Sequence, residues 1–300
     1  MEKLIAALRK IAGSMRRHLV GKRSPVVQTA AKLHWRLLKT VRGNSRVKFL
    51  LVLSHQRAGS TLLIHLLNTN PRILGYGETF NHYASARDLR KLPFGITRTT
   101  RKIVWSQAFV VDKLLYDELL VDDALLRDED IYTIFLVREP LGALRSLVNA
   151  PRLDGWPQRP EANKYYVDQA NVMKYYSSRL AMLGRYARII NSRSRSLFMT
   201  YEDILLRTNA VFGTLKSFLA VSGTFSEHYA FLRTTGVPGY GDVSQHIRRG
   251  CIDRNIVRPQ NAVRPELIDE AGFAFDRCCR VLREYCSTVN VAETVCGNNE

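Results

Sequence analysis

The 300-residue sequence holds no stretch that approaches the ~20 consecutive apolar residues of a membrane-spanning helix, so no spanning segment is expected. No unbroken apolar run near the start has the form of a secretory signal either. Cysteine is sparse. The five residues, Cys251, Cys278, Cys279, Cys286 and Cys296, are odd in number and form neither a CxxC pair nor a Cys/His cluster. A disulfide framework and a metal site are therefore not expected, and a reducing cytoplasm is the compartment that fits. Internal repeats, low-complexity tracts and Pro/Gly/Ser-rich linkers are absent, which argues for one domain rather than an array. Acids are almost missing from the start: residues 1–48 hold 13 Lys/Arg and a single acid, Glu2. The remaining residues hold 32 Lys/Arg against 26 acids, so the formal +18 divides into +12 and +6.

Residues 1–46 read as a basic, partly helical extension and residues 47–300 as the domain, whose apolar content suffices for a large core. Within residues 3–15, Leu4, Ile5, Leu8, Ile11, Ala12 and Met15 share one helical face, with Lys3, Arg9, Lys10, Arg16 and Arg17 around it. Such a helix lies on a membrane surface, as a peripheral contact, or docks its apolar side on its own domain, and the pattern leaves both open. The basic balance favours an anionic partner: nucleic acid, a membrane surface, nucleotide phosphates or a polyanion.

Residues 47–54 (VKFLLVLS) form a continuous apolar run, the pattern of a strand buried on both faces. A break at residues 55–59 leads into helical spacing at Leu62, Leu63, Leu66 and Leu67. Residues 107–114 and 131–137 predict two more buried strands, the latter followed by Arg138-Glu139-Pro140 and a helix to about Val148. A long amphipathic helix runs from Tyr166 to Ile190, a short strand covers residues 197–200, and helices follow at residues 211–219 and 265–285. Strands alternating with helices predict an α/β fold, a three-layer sandwich with a central parallel sheet flanked by helices. Ligands in such sheets bind beyond the carboxyl ends of the strands, and three motifs begin there: after Ser54, after Val137 and after Thr200.

The first is His55-Gln56-Arg57-Ala58-Gly59-Ser60-Thr61, a small-residue loop opening a helix. Such a loop offers several backbone N–H groups and a helix dipole to one anion, and Arg57 adds a fixed positive charge. The nucleotide pattern GxxxxGK[ST] is absent, since no Gly stands five residues before Gly59 and no Lys follows it. The second motif is Val137-Arg138-Glu139-Pro140 with Ser146 eight residues after the Arg, and the third is Thr200-Tyr201-Glu202-Asp203. Each has a structural reading by itself. Ser60 would cap a helix, Arg138 would pair with an acid, and Glu202 and Asp203 would complement a helix dipole.

Together and in this order, the three motifs resemble those of sulfotransferases that use 3′-phosphoadenosine-5′-phosphosulfate (PAPS), over about two-thirds of the chain, residues 47–250. Arg-Ala-Gly-Ser-Thr is similar to the 5′-phosphosulfate loop of the carbohydrate-type and bacterial branch, Val-Arg-Glu-Pro to the 3′-phosphate motif, and Thr-Tyr-Glu-Asp with Phe218-Leu219 to a later segment of the family. The resemblance implies a P-loop-like fold and PAPS as cosubstrate without a metal. Arg57, Ala58, Gly59, Ser60 and Thr61 would hold the 5′-phosphosulfate, Arg138 and Ser146 the 3′-phosphate, and Tyr201 the adenine end. Ile247-Arg248-Arg249-Gly250 resembles an Arg-Lys-Gly segment that closes over the 3′-phosphate in the cytosolic branch, although the Gly-Asp pair that follows there is missing and Gly241-Asp242 precedes it instead.

The cytosolic branch carries a His base two residues after a strand Lys; here Lys113 matches that Lys, but Leu115 stands in the His place. Gly77-Glu78-Thr79-Phe80 resembles the Gly-Glu-x-Phe segment of members that use a glutamate base. Glu78 is thus the first candidate base and His82 the second, with His55 and His65 behind them, and Lys113 would stabilise the bridging oxygen. A solvated loop carboxylate or a buried ion-pair partner is the plain reading of Glu78. The implied acceptor is a hydroxyl, from the Arg-type loop and Glu78 that of a carbohydrate, and no nucleic-acid partner is expected. Two competing readings are a P-loop kinase or NTPase, which lacks its Gly-Lys-Ser/Thr here, and a basic nucleic-acid or membrane-surface protein, which leaves the strand–loop–helix motifs unexplained.

Overall fold

The computed structural model describes residues 25–43, 46–152, 166, 168–238, 240–255 and 263–290, so the amphipathic pattern of residues 3–15 lies outside the described residues. Six parallel strands form one sheet in the order β2-β3-β1-β4-β5-β6. They are β1 (Lys48–Ser54), β2 (Ile73–Leu74), β3 (Phe109–Leu114), β4 (Ile131–Val137), β5 (Ser196–Thr200) and β6 (Ser287–Thr288). β1 pairs with β3 on one side (Leu50 opposite Val111) and with β4 on the other (Leu50 opposite Tyr132). The strand order therefore reverses at β1, which opens a crevice at the carboxyl ends of β3, β1 and β4. β1 and β3 are buried along both faces, as their apolar runs predict, yet β3 also buries two charged residues, Asp112 and Lys113.

Helices flank the sheet. In chain order they are α1 (Pro25–Arg42), α2 (Ser60–Leu67), α3 (Ala86–Leu89), α4 (Leu92–Thr100), α5 (Asp123–Leu126), α6 (Pro140–Asn149), α7 (Gln169–Ile190), α8 (Tyr201–Leu206), α9 (Thr208–Leu219) and α10 (Pro265–Tyr285). α6, α7 and α10 pack on one another, with α7 against β1 and α10 against β5, while α1 and α4 pack together beside β3. Local chemistry sets the ends. Asp168 caps α7 by accepting from Asn171 N, so the helix starts there rather than at Tyr166. Glu139 accepts from Gly142 N and Pro140 fills the first turn of α6. Thr200 and Asp203 form a reciprocal capping box that starts α8, which answers the third motif at its structural level.

Within the segment read as an extension, α1 packs on the domain. It buries Val27, Ala30, Ala31, His34 and Leu38. Trp35 stacks on Phe49 of β1 at 6.1 Å, His34 Nε2 lies 3.2 Å from the carbonyl of Val104, and Arg42 donates to the carbonyl of Gln107. Among the described residues no helix is long and apolar enough to cross a membrane.

Candidate functional site

After Ser54 the chain leaves the sheet through a loop with two left-handed residues, Arg57 (φ 63°) and Gly59 (φ 83°). Gly59, not Ser60, precedes the first turn of α2, and no side chain caps the helix. The expected Ser60 cap is thus not made, and the first-turn N–H groups keep their attraction for an anion. Glycine is required at 59 twice over. Its φ is positive, and a Cβ there would come within 2.3 Å of the Tyr201 ring.

The motifs after β1, β4 and β5 interlock. Arg57 Nε donates to Ser146 Oγ at 3.0 Å, and Arg138 Nη1 donates to the carbonyl of Arg57 at 3.1 Å. The Arg138 guanidinium stacks 4.6 Å from the centroid of Tyr201, which itself lies under Gly59. Arg57 and Ser146, assigned by resemblance to different phosphates, are therefore neighbours. Arg57 also pairs with Asp242 at 3.2 Å. Burial opposes the charge on Arg57, but Asp242 outweighs it and raises the guanidinium pKa. Burial likewise opposes the Asp242 carboxylate, and Arg57 outweighs it and holds that carboxyl below the usual range.

α7 supports this rim with three residues from little more than one turn, Tyr175, Tyr176 and Arg179. Tyr175 accepts from Gln56 N (2.8 Å) and donates to the carbonyl of Leu115 (2.7 Å), while Tyr176 donates to the carbonyl of Arg138 (3.0 Å). The wholly buried Arg179 donates to the carbonyls of Ser54 (2.8 Å), Leu114 (2.6 Å) and Tyr116 (3.2 Å), joining the ends of β1 and β3. Leu115, in the place of the expected strand His, is buried and offers only this carbonyl.

The second half of the site lies at the end of β3. Lys113 Nζ donates to Thr61 Oγ1 at 2.8 Å and pairs with Glu78 Oε1 at 3.1 Å; Lys113 and Glu78 are both buried. The plain reading of Glu78 as a solvated loop carboxylate does not hold, and its ion-pair reading does. Backbone strain is stored at Glu78 (φ 47°) and Phe80 (φ 52°), after Gly77, which takes φ 68° freely. Asp112 holds that segment by accepting from Thr79 N (3.1 Å), from Thr79 Oγ1 and from Tyr83 OH (2.6 Å). Burial raises the Asp112 pKa against these donors. A Cβ at Gly77 would come within 2.9 Å of the Lys113 chain, so glycine lets Lys113 pass beneath the loop.

The other candidates fall elsewhere. His82 is exposed. His55 is wholly buried, its Nε2 accepting from Arg138 N at 3.1 Å, so Nδ1 carries the proton towards the carbonyl of Gln56 at 2.8 Å. Burial, aided by Arg138 and Arg179 and opposed by the Gln56 bond, pushes its pKa down to about 3. It is a structural imidazole rather than a base. His65 bridges the Thr61 carbonyl (2.8 Å) and Thr235 Oγ1 (2.7 Å), and burial lowers its pKa. Arg248 and Arg249 sit on a 3-10 turn, His246–Arg249, that ends at Gly250. Arg248 donates to the carbonyl of Gly236 at 2.9 Å and Arg249 pairs with Asp253 at 3.1 Å. Among the described residues no group of three or more His, Cys, Asp or Glu could hold a metal ion.

The sequence motifs gave no role to Asp112, Arg179 or Tyr175, and marked Asp242 only as a departure from the family pattern. Two charges inside the apolar run FVVDKL were a readable signal for Asp112. Arg179, four residues after Tyr175 on the apolar face of α7, was another.

No protein-family model and no curated protein matches the sequence. Among solved structures the chain is similar to the crystal structure of retinol dehydratase in complex with androsterone and inactive cofactor PAP. The TM-score is 0.35 at 11% identity, over 83% of this chain and 86% of that one.

Proposed function

We propose that this chain is a sulfotransferase that moves a sulfuryl group from PAPS to a hydroxyl, with a carbohydrate or glycoconjugate as acceptor. The observation that carries the reading is the linkage of Arg57, Ser146, Arg138, Thr61, Lys113 and Glu78 at one rim, contributed by the segments that follow β1, β2 and β4 and by the end of β3. The residues fit an anionic nucleotide. An uncapped helix start and two arginines offer N–H donors and positive charge to one anion, and the obligatory glycine lets the loop pack on the Tyr201 ring.

In this reading Arg57, Ala58, Gly59, Ser60 and Thr61 hold the 5′-phosphosulfate. Arg138 and Ser146 hold the 3′-phosphate, the Arg248-Arg249-Gly250 segment closes over it, and Tyr201 borders the adenine end. The donor supplies the sulfuryl group and leaves as 3′,5′-ADP. Arg57 offsets charge on the sulfuryl oxygens. Lys113 offsets charge on the phosphate oxygen as its bond to sulfur breaks. Glu78 takes the acceptor hydroxyl proton as the new O–S bond forms, so the products are a sulfate ester, 3′,5′-ADP and a protonated carboxyl. The Arg-type loop and Glu78, matched by resemblance to carbohydrate-type members, support the acceptor class.

Calorimetry with 3′,5′-ADP tests the donor assignment. Binding is expected to be independent of Mg²⁺ and tighter than that of ATP. Arg138→Ala should weaken it by about one to two decades, the ~1.5–3 kcal/mol of a charge-assisted hydrogen bond. Unchanged affinity in that variant removes Arg138 from the site, and Mg²⁺-dependent preference for ATP favours a kinase or NTPase. Transfer of label from [³⁵S]PAPS to a panel of sugars then tests the acceptor.

A further inference from the structure

A carboxylate already lies where the sulfotransferase reading puts the donor's charge. Asp242 Oδ1 is 3.2 Å from Arg57 Nη1, and its two oxygens also accept from Ser244 N (3.0 Å) and Ser244 Oγ (2.9 Å). Its backbone N–H donates to Thr61 Oγ1 at 3.2 Å, the same oxygen that accepts from Lys113. The preceding residue is just as close. Gly241 has φ 110°, and a Cβ there would stand 2.6 Å from Thr61 Oγ1 and 3.1 Å from Lys113 Nζ. Two consecutive residues thus touch the three groups, Arg57, Thr61 and Lys113, that the proposed reaction needs for the sulfuryl end.

Resting on that reading, we propose that Asp242 is an internal stand-in for the donor's anion, and that donor binding displaces the Gly241-Asp242 pair from Arg57 and Thr61. Charge gives the reason. A carboxylate beside Arg57 satisfies the guanidinium, and an incoming phosphosulfate meets like-charge repulsion until that carboxylate withdraws. Only glycine at 241 permits the close approach. Ahead of the pair the chain is tied by Arg248, which donates to the carbonyl of Gly236 at 2.9 Å. The apparent donor affinity is then reduced by the fraction of molecules in which the pair is withdrawn.

The test titrates 3′,5′-ADP into the full chain and its Asp242→Asn, Asp242→Ala and Arg57→Ala variants at one pH and salt concentration, with thermal midpoints to verify folding. Asp242→Asn keeps the shape that Ser244 holds, and Asp242→Ala removes it. Both are expected to bind at least tenfold tighter than the parent, while Arg57→Ala binds more weakly. If both Asp242 variants bind equally or more weakly while the parent binds and Arg57→Ala does not, Asp242 merely orients Arg57. The stand-in role is then overturned and the sulfotransferase reading stands. If neither the parent nor either folded Asp242 variant binds 3′,5′-ADP at millimolar concentration, the sulfotransferase reading fails and takes the inference with it.

Discussion

Glu78 is held in a backbone conformation that a residue with a Cβ avoids, and so, two residues on, is Phe80. Strain of this kind costs of order 1–3 kcal/mol per residue and persists only where the surroundings over-determine it. Here β3 supplies that grip. Successive residues on a strand face opposite ways, and Asp112 bonds Thr79 while Lys113 pairs with Glu78. In the proposed reaction this carboxylate, paired with the Lys113 that also donates to Thr61, would be the proton acceptor, whereas His82 is exposed. Glu78→Gln should therefore reduce single-turnover transfer at saturating PAPS by ~10²–10⁴, the usual effect of losing a general base. Affinity for 3′,5′-ADP should be retained or increased, because a negative charge near the sulfuryl oxygens is gone. His82→Ala should have a smaller effect. Near-normal turnover of Glu78→Gln with a dead His82→Ala would exchange the two roles, and activity in both would move the base out of this loop.

At the scale of elements, the loops after β1 and β4 are joined by one imidazole. His55 takes the Arg138 N–H, and Arg138 in turn reaches the carbonyl of Arg57. An unfolded histidine titrates near 6.5, but burial holds the folded His55 neutral down to about 3. Its contribution to stability is complete above the unfolded value and is lost as pH falls through the window from 6.5 towards 3, because the unfolded chain takes up the proton first. Between pH 7 and pH 5 that loss is about 2 kcal/mol. Buried His34 and His65, also shifted down, add to it with the same sign. Urea unfolding at both pH values should show a loss smaller by about that amount in His55→Asn than in the parent; equal losses would show that this imidazole does not titrate with unfolding. The elements themselves were legible where a pattern had room to repeat. β4 and α10 fall on their predicted residues, and β1 starts one residue later than its apolar run. β2, β6, α3 and α5 span two to four residues, too few for either period to register. α4 carries Pro93 and Gly95, which mask its helical pattern. The rim of the site was legible because its motifs follow strands. Asp242 was not, because it meets Arg57 across 185 residues and nothing local marks the pairing.

For the whole molecule, the question is where the domain begins. The basic balance and the start of the first apolar run set the boundary at 46 in sequence, but α1 packs on the domain from Pro25 onward. Leu38 belongs to the main core, and Val27, Ala30 and Ala31 form a second cluster with Phe94 of α4. Leu38→Ala should cost about 2–5 kcal/mol, as for other fully buried leucines. Removal of residues 1–44 takes away α1 and uncovers Phe49 and Phe94, and should lower the thermal midpoint sharply. Removal of residues 1–24 takes away seven Lys/Arg and one acid but none of these contacts. It should leave the thermal midpoint unchanged and 3′,5′-ADP affinity within about threefold, ~0.65 kcal/mol. What it should abolish is binding to phosphatidylserine vesicles, since each Lys/Arg near an anionic surface contributes about 1 kcal/mol and the effect fades within a Debye length. Co-sedimentation of the full chain and the 1–24 deletion with such vesicles, at low and at physiological salt, separates the outcomes. Loss of vesicle binding with nucleotide binding intact makes residues 1–24 a peripheral membrane contact. A full chain that ignores the vesicles favours docking of the residue 3–15 pattern on the domain. A folded 1–24 deletion that no longer binds 3′,5′-ADP would place the basic segment in the nucleotide site itself.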